Sequence, residues 1–463
     1  IGQYAFMGCT ALKSIGSLHN LETIGKGAFN GCSALEHVDD LYSLTRLESG
    51  AFAHCASLVS VDCSDKLTFI GDNAFLNCTL LVSIGDLGSV TTIEYYAFAG
   101  CSSLERLEHL DNLVSLGEGV FGYGSHYTGC ISLKSIGDMP KLESMGQKCF
   151  VSCTTLETVG DLSSLKEIPY EAFDGCTSLV SIGDLNNVES IANEAFSNCS
   201  ALEHVDKLDK ITSIGQNAFK GCTALKSIGS LHNLETIGQG AFSGCSALEH
   251  VDDLYSLTRL EYDVFSHCVS LISVDCSDKL TAIGSSAFFG CKALVSIGDL
   301  SNVTSIESSV FRGCIALKSI GNMPKLESIG MQCFMGCTAL ETVGDLSSLK
   351  EIPSETFDGC TSLVSIGDLS NVTIIGSYGF NQCKKLTSIP NLGSLERVDQ
   401  FAFSGCESLA LLGNLRKLTS FGNSPFVNSP FHNCPNLVLE VLPDSAAEQY
   451  AKNYSMRYTY ITE

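Results

Sequence analysis

The residues most capable of chemistry in this chain are its 23 cysteines, which could pair as disulfides, bind a metal or act as nucleophiles. Nineteen of them occupy one slot: they recur every 23 residues from Cys9 to Cys101 and from Cys130 to Cys406, and Cys434 follows a short insertion. Neighbouring coils lie about 4.7–4.9 Å apart, but parallel side chains that point at one axis rarely reach the torsion of a disulfide. The spacing therefore predicts a column of buried free thiols rather than a chain of disulfides.

Four cysteines lie outside that column, as two duplicated pairs: Cys63 with Cys276, and Cys149 with Cys333. Cys149 and Cys333 replace the alanine of the usual Ala-Phe and stand four residues before a column cysteine. A zinc or redox site would need a second cysteine or histidine pair at ligand spacing, which the sequence lacks. We expect all four to pack in the core, and we predict no metal and no cofactor.

Aspartates recur directly after the Ile-Gly or Val-Gly pairs of the repeat, and we select Asp86, Asp138, Asp161 and Asp184 as candidate ligand-binding residues. Stacked carboxylates repel one another, so such a row must be solvated, hydrogen-bonded or relieved by a cation. Three interpretations stay open: the aspartates form the turns that end strands, they face a basic partner, or they bind calcium. The first is favoured by local backbone bonding, and no EF-hand or calcium nonapeptide supports the third.

An insertion over residues 122–128 interrupts the period and adds Tyr123, His126 and Tyr127, which are further ligand-binding candidates. Loops that bulge from a rigid repeat scaffold often carry binding residues. The alternative is a tolerated surface insertion without a role.

His37, His204 and His250 lie in the repeated Leu-Glu-His-Val-Asp, with serines and aspartates nearby in the sequence. Several coils therefore contain the residue types of a Ser-His-Asp triad. A catalytic triad needs one activated nucleophile and an oxyanion hole, whereas every such residue here belongs to the repeat. We predict no catalytic residues and no enzyme activity.

All these residues belong to a 23-residue unit, seen for example at residues 12–34, whose apolar positions recur mostly at every third residue. That spacing fits neither a long helix nor an alternating strand, but it suits a coil that keeps turning its inside to one axis. One turn is too small to bury its own apolar ring, so coils must stack. The predicted fold is an α/β repeat solenoid, a right-handed superhelix of about 18 coils built mostly from short parallel strands and turns.

The chain also contains a longer duplication, because residues 8–200 and 221–384 have near-identical sequences. The solenoid is predicted to span residues 1–436 as one domain. Residues 437–463 leave the period and are predicted to form a C-terminal cap with a strand, a turn at Pro443 and a short helix that Ser445 caps. The chain begins at Ile1 without a leader-like segment, so we expect a removed leader or a start within a larger protein.

Charge excludes several partners. With 27 basic and 51 acidic residues among 463, the net charge is −24, which disfavours nucleic acid and anionic membrane surfaces. No run of about 18 apolar residues is present, so direct membrane insertion is not expected.

The repeated Ser-Ile-Gly-x-x-Ala-Phe-x-x-Cys, as at residues 213–222, resembles the BspA-like, treponemal class of leucine-rich repeat over residues 1–436. One departure is that the first half of a coil reads Ile-Gly-Asp-Leu where the class commonly has apolar-x-apolar-Pro. The resemblance implies an extracellular or cell-surface protein of bacteria or protozoa that adheres to host proteins, matrix or other cells. We therefore expect a monomeric, adhesin-like protein that binds a host or matrix protein or a glycan. The alternatives are an intracellular interaction scaffold and a spacer for another domain.

Overall fold

The computed structural model describes residues 1–122, 129–422 and 429–461. They form two compact units, Ile1–Cys245 and Ser246–Glu463. Each unit is a parallel-stranded β-solenoid with a spacing of about 23 residues, and together they contain about 19 turns. The predicted repeat solenoid is confirmed.

Most coils contribute two very short strands, because the repeat contains Leu-x-x-Ile twice. The strands of the first half of the repeat, many of which precede Gly-Asp-Leu, form ladder A, and those before Gly-x-x-Ala-Phe form ladder B. In unit 1, ladder A comprises His37–Leu41, Ser60–Cys63, Ser83–Ile84, Arg106–Leu107, Ser135–Ile136, Thr158–Val159, Ser181–Ile182, His204–Val205 and Ser227–Ile228. Ladder B of unit 1 comprises Thr23–Ile24, Arg46–Leu47, Phe69–Ile70, Thr92–Ile93, Ser115–Leu116, Ser144–Met145, Glu167–Ile168, Ser190–Ile191, Ser213–Ile214 and Thr236–Ile237.

Unit 2 repeats the arrangement. Its ladder A comprises His250–Leu254, Ser273–Cys276, Ser296–Ile297, Ser319–Ile320, Thr342–Val343, Ser365–Ile366, Ser388–Ile389, Leu411–Leu412, Val438–Val441 and Arg457–Tyr460. Its ladder B comprises Arg259–Leu260, Ala282–Ile283, Ser305–Ile306, Ser328–Ile329, Glu351–Ile352, Ile374–Ile375, Arg397–Val398 and Ser420–Phe421.

Strand register follows the repeat length. Thr158 pairs with Ser181 and Val159 with Ile182, so equivalent residues of successive coils lie side by side. In most two-residue strands the first side chain faces outward and the second faces the core, as alternation along a strand requires. Glycine follows many of the strands, and at several of them it allows close approach of the chains: a Cβ on Gly183 would collide with the carbonyl oxygen of Gly160 in the preceding coil.

The Ala-Phe-x-x-Cys half of each coil consists of turns, not helix. Its backbone also bonds between coils: the Phe173 N–H donates to the Ala195 carbonyl at 2.8 Å. Glu171 and Gly175 flank this turn with φ of 50° and 74°. Positive φ at two places allows the chain to reverse within a few residues.

Stacked phenylalanines and cysteines fill the core. The rings of Phe173, Phe196 and Phe219 are fully buried and nearly parallel, with successive centroids 5.2 and 5.3 Å apart. The Cys222 thiol donates to the Phe196 carbonyl at 3.1 Å, and burial raises the pKa of this and other column thiols.

All 23 cysteines are free in the structure, and 21 of them are buried. The burial prediction is wrong for two column members: Cys9 is exposed and Cys434 is partly exposed. Cys9 lies in the first coil, where the following coil packs against one side only, and Cys434 follows the second insertion. The four off-column cysteines are buried as expected.

The C-terminal end of unit 2 has the only helix of the described residues, Ala446–Asn453. The Ser445 hydroxyl accepts the Glu448 N–H at 3.2 Å, which confirms the predicted N-cap. The buried Glu448 accepts hydrogen bonds from the Tyr460 hydroxyl at 2.6 Å and the Asp444 N–H at 2.8 Å. Tyr460 lies in a final strand, Arg457–Tyr460, that pairs with Val438–Val441 and that sequence reasoning missed.

Candidate binding surface

The outward face of ladder A carries the residues that the repeat leaves free to vary. One column on it, two positions before the second residue of each two-residue strand, has runs of charged side chains separated by apolar ones. Lys134 pairs with Glu105 at 3.2 Å and Lys226 with Glu203 at 2.8 Å. Between these pairs Val180 is 45% exposed. The face therefore presents ionic and apolar groups on successive coils.

The aspartates at the end of this face form turns. In Asp86, Asp161 and Asp184 one carboxylate oxygen accepts the N–H two residues later, at 2.8, 2.7 and 2.9 Å. Asp138 instead accepts the Asp161 N–H of the next coil at 2.9 Å. These bonds confirm the turn interpretation for Asp86, Asp161 and Asp184, whereas the Asp138 bond joins two coils. Each carboxylate keeps further acceptor capacity for a ligand.

Only three of the four candidate aspartates lie together. Asp138, Asp161 and Asp184 follow the adjacent strands Ser135–Ile136, Thr158–Val159 and Ser181–Ile182. Asp86 follows a strand of another short sheet, and the coil next to it carries His109 at the equivalent place.

A lysine ends the row. The Lys207 ammonium lies 2.7 Å from Asp184, and this hydrogen bond lowers the pKa of the carboxyl. Asp138 and Asp161 are therefore the members of the row best placed to meet a basic partner.

Two tyrosines that sequence reasoning did not select stand out on ladder A. Tyr42 and Tyr255 are 52% and 43% exposed, and each follows one of the two longest strands among the described residues. The Tyr255 hydroxyl donates to Asp275 at 2.9 Å, and that bond raises the pKa of Tyr255 to about 12. Tyr42 is hydrogen-bonded to Asp40, which raises the pKa of Tyr42. Hydrogen bonds from Ser17 and then Tyr42 lower the pKa of Asp40.

The signal for these tyrosines was present in the sequence. Both lie in the ten-residue segment Asp-Asp-Leu-Tyr-Ser-Leu-Thr-Arg-Leu-Glu, at residues 39–48 and 252–261. An exposed aromatic ring beside carboxylates offers a cation both ring-face and ionic contacts.

The histidines of Leu-Glu-His-Val-Asp form rungs with serines of the following coil. Nδ1 of His37, His204 and His250 lies 2.9, 2.8 and 2.8 Å from the hydroxyl of Ser60, Ser227 and Ser273, respectively. All three pairs are exposed and built alike. The repeat accounts for these contacts without a catalytic role.

The remaining candidate ligand-binding residues lie outside the described part of the chain. Tyr123, His126 and Tyr127 fall within residues 123–128, which are not among the described residues. Over the parts of the chain that the structure describes, no group of three or more His, Cys, Asp or Glu side chains could hold a metal ion.

A family model described as a BspA type leucine rich repeat region, in six copies, matches residues 1–128, 123–226, 212–341 and 327–445. This chain belongs to the BspA-type leucine-rich repeat family. The resemblance drawn from the repeat is thereby confirmed. BspA-type proteins are typically surface-associated, leucine-rich repeats generally bind proteins, and the family is a non-enzymatic repeat family.

A solved structure agrees with this BspA-type assignment. A leucine-rich repeat protein from Bacteroides ovatus is 27% identical, with a TM-score of 0.64 over 77% of this chain and 92% of that chain. A leucine rich cell surface protein from Faecalibacterium prausnitzii is 27% identical over 76% of this chain and 86% of that chain, with a TM-score of 0.36. No curated protein matches this BspA-type chain. In the described residues, no helix is long and apolar enough to cross a membrane.

Proposed function

We propose that this BspA-type protein is a non-enzymatic, adhesin-like binding protein, secreted or displayed at a cell surface, that holds a basic protein partner along ladder A. The observation that carries the proposal is the row of carboxylates in register on successive coils, together with the duplicated tyrosine and aspartate patches. The net charge of −24 favours a partner with exposed Lys or Arg.

The geometry suits a long contact rather than a small pocket. Successive coils repeat the same outward positions, so many individually weak contacts add along the ladder. Charge attraction between exposed groups is screened over about 8–10 Å at physiological salt. Binding along ladder A should therefore weaken steeply as salt rises.

The test uses a lysine-rich peptide as the probe and a glutamate-rich peptide of equal length as its control. The triple variant Asp138→Asn, Asp161→Asn, Asp184→Asn keeps a side-chain oxygen that can accept each backbone N–H and removes three charges. A matched variant, Glu143→Gln, Glu235→Gln, Glu327→Gln, removes three exposed charges at the edge of ladder B.

We expect the lysine-rich peptide to bind, to bind more weakly in high salt, and to lose several-fold more affinity with the aspartate variant than with the glutamate variant. Equal losses in the two variants would show that only net charge matters. That result, or binding that is insensitive to salt, contradicts the proposal. If the lysine-rich peptide binds as expected, a pull-down against host extracellular and membrane proteins would identify the natural partner.

A further inference from the structure

A shallow groove of about 810 Å³ runs over ladder B of unit 1, across the strands from Ser144–Met145 to Thr236–Ile237. We call it the ladder B trough. Its floor is made by the small or compact residues that follow the buried strand residues: Gly146, Pro169, Ala192 and Gly215. Because these positions lack long side chains, a ligand can approach the backbone closely.

Polar groups at equivalent positions of successive coils line the two sides of the trough. On one side stand the amides of Gln147 and Asn193 with the half-buried Tyr170 between them. On the other side stand the hydroxyls of Ser190 and Ser213 with the carboxylate of Glu167. Equivalent groups lie one coil apart along each side of the trough. The core phenylalanines of these coils stack with successive centroids 5.0, 5.2 and 5.3 Å apart.

Two of these groups are held in place. The Asn193 side-chain carbonyl accepts the Gln216 N–H at 2.7 Å, which orients the amide. The Lys148 ammonium lies over the Tyr170 ring, 5.4 Å from its centroid, and a hydrogen bond to Glu171 raises the pKa of Tyr170 to about 12. The phenol therefore stays protonated at neutral pH.

The floor cannot take up an added peptide strand. The N–H groups of Gly146, Ala192 and Gly215 already donate to carbonyls of the preceding coil at 2.8, 2.9 and 2.7 Å. Recognition in the trough must therefore come from side chains, whereas strand addition depends on unpaired backbone groups at a sheet edge.

The charges near the trough disfavour an anionic ligand. The lysines beside it are paired, Lys148 with Glu171 at 3.4 Å and Lys166 with Glu189 at 2.9 Å. Glu167 adds a negative charge to the rim. Amides, hydroxyls and one aromatic ring in register suit a ligand that offers hydroxyl groups and apolar ring faces at a repeating distance.

We propose that the ladder B trough of unit 1 binds a neutral oligosaccharide, whose successive sugar rings contact successive coils. This site is separate from the acidic face of ladder A and does not depend on the function proposed for that face. Tyr170 provides the stacking surface, and Gln147 and Asn193 bond to sugar hydroxyls.

The duplication supplies a natural comparison. The segment Leu-Glu-Thr-Val-Gly-Asp-Leu-Ser-Ser-Leu-Lys-Glu-Ile-Pro is identical at residues 156–169 and 340–353, yet the very next residue is Tyr170 in one copy and Ser354 in the other. Gln147 and Asn193 likewise correspond to Met331 and Ser377. The second copy therefore lacks the two amides and the aromatic ring of the trough.

The test measures binding of maltohexaose, cellohexaose, xylohexaose and mannohexaose to the full chain by calorimetry, with hexagalacturonate as the anionic control. The double variant Tyr170→Ser, Asn193→Ser installs the residues of the second copy, so its fold should be retained, and thermal unfolding checks this. The control variant Ser354→Ala, Ser377→Ala changes the same positions in the second copy.

We expect at least one neutral hexasaccharide to bind with little dependence on salt. The double variant should lose about tenfold in affinity, or ~1.4 kcal/mol, and the control variant none. The proposal is overturned if no neutral hexasaccharide binds, if hexagalacturonate binds more tightly, or if both variants bind like the parent. Because peptide binding to ladder A is salt-sensitive and uses other residues, failure of one proposal leaves the other measurable.

Discussion

The coils from Arg46 to Glu94 and those from Arg259 to Glu307 are near-copies, 213 residues apart. Each arginine pairs with the glutamate two residues later, at 3.0 and 3.2 Å, yet their other contacts differ. In the first copy the Arg46 guanidinium lies over the Phe69 ring, 3.9 Å from its centroid. In the second copy alanine replaces that phenylalanine, and the guanidinium of Arg259 reaches Glu307 at 2.6 Å.

The carboxylates respond in opposite directions. Partial burial, and then the charge of Asp72, raise the pKa of Glu94. The hydrogen bond from Arg259 lowers the pKa of Glu307, and Ser285 adds bonds from its N–H and hydroxyl at 3.0 and 2.9 Å. Two of the outward differences, Phe69 to Ala282 and Asp72 to Ser285, lie at these contacts and accompany the reversed local electrostatics. Most of the core is kept, but two buried positions differ, Ala51 against Val264 and Ala53 against Ser266. Inward columns specify the fold, and outward positions are free to specify contacts.

The largest effect should come from an inward residue. Replacing the fully buried Phe219 by alanine removes a ring from the stack and leaves a cavity, so we expect a loss of about 3–5 kcal/mol in the free energy of unfolding. Replacing the exposed Thr212 of the same coil by alanine should lower the free energy of unfolding by less than ~1 kcal/mol, although the Thr212 hydroxyl donates to the Glu189 carbonyl. Urea unfolding followed by circular dichroism measures the stability of both variants. Similar losses in the two would show that inward and outward positions do not differ in their contribution to stability.

Cysteine reactivity sharpens the comparison of the copies. Cys63 and Cys276 occupy equivalent places, both are 4% exposed, and burial raises the pKa of each to about 12. Both thiols should react with iodoacetamide more than about a thousandfold slower than an ordinary thiol at pH 8, since the thiolate is the nucleophile. The exposed Cys9 should be alkylated first. Peptide mass spectrometry measures the protection of each cysteine, and unequal protection of Cys63 and Cys276 would contradict equivalent packing at these two places.

A smaller effect is expected where Lys207 pairs with Asp184, because the second copy has Asn391 beside Asp368. Lys207→Asn should raise the pKa of Asp184, which the lysine hydrogen bond now lowers. A lowered carboxyl pKa stabilises the fold above the unfolded value of about 3.9, and this contribution is lost as pH falls through the folded value. The variant should therefore differ from the parent near neutral pH and match it in acid. Exposed pairs contribute little, so the difference should be small. NMR titration of Asp184 and unfolding at several pH values check both points.

The sequence predicts the inward residues well and the outward contacts poorly. Cys222 and Phe219 could be placed in the core because a column position repeats with every coil. The N-cap at Ser445 could be predicted because it depends on neighbours along the chain. The Asp138 bond to the Asp161 N–H, the Lys207 pair and the strand at Arg457–Tyr460 depend on which side chains meet across coils. Small differences in side-chain length and charge decide those contacts, and periodicity carries no information about them.

The most direct test of this account exchanges the outward residues of the two copies. One variant carries Phe69→Ala and Asp72→Ser, and the other carries Ala282→Phe and Ser285→Asp. NMR titration should show the pKa of Glu94 falling in the first variant, as the Arg46 guanidinium and the introduced serine hydroxyl become its partners, and that of Glu307 rising in the second, while both melting temperatures stay close to the parent. If the two carboxyl pKa values keep their original order, or if either exchange destabilises the protein as strongly as Phe219→Ala, then outward residues do not act independently of the core and the account is wrong.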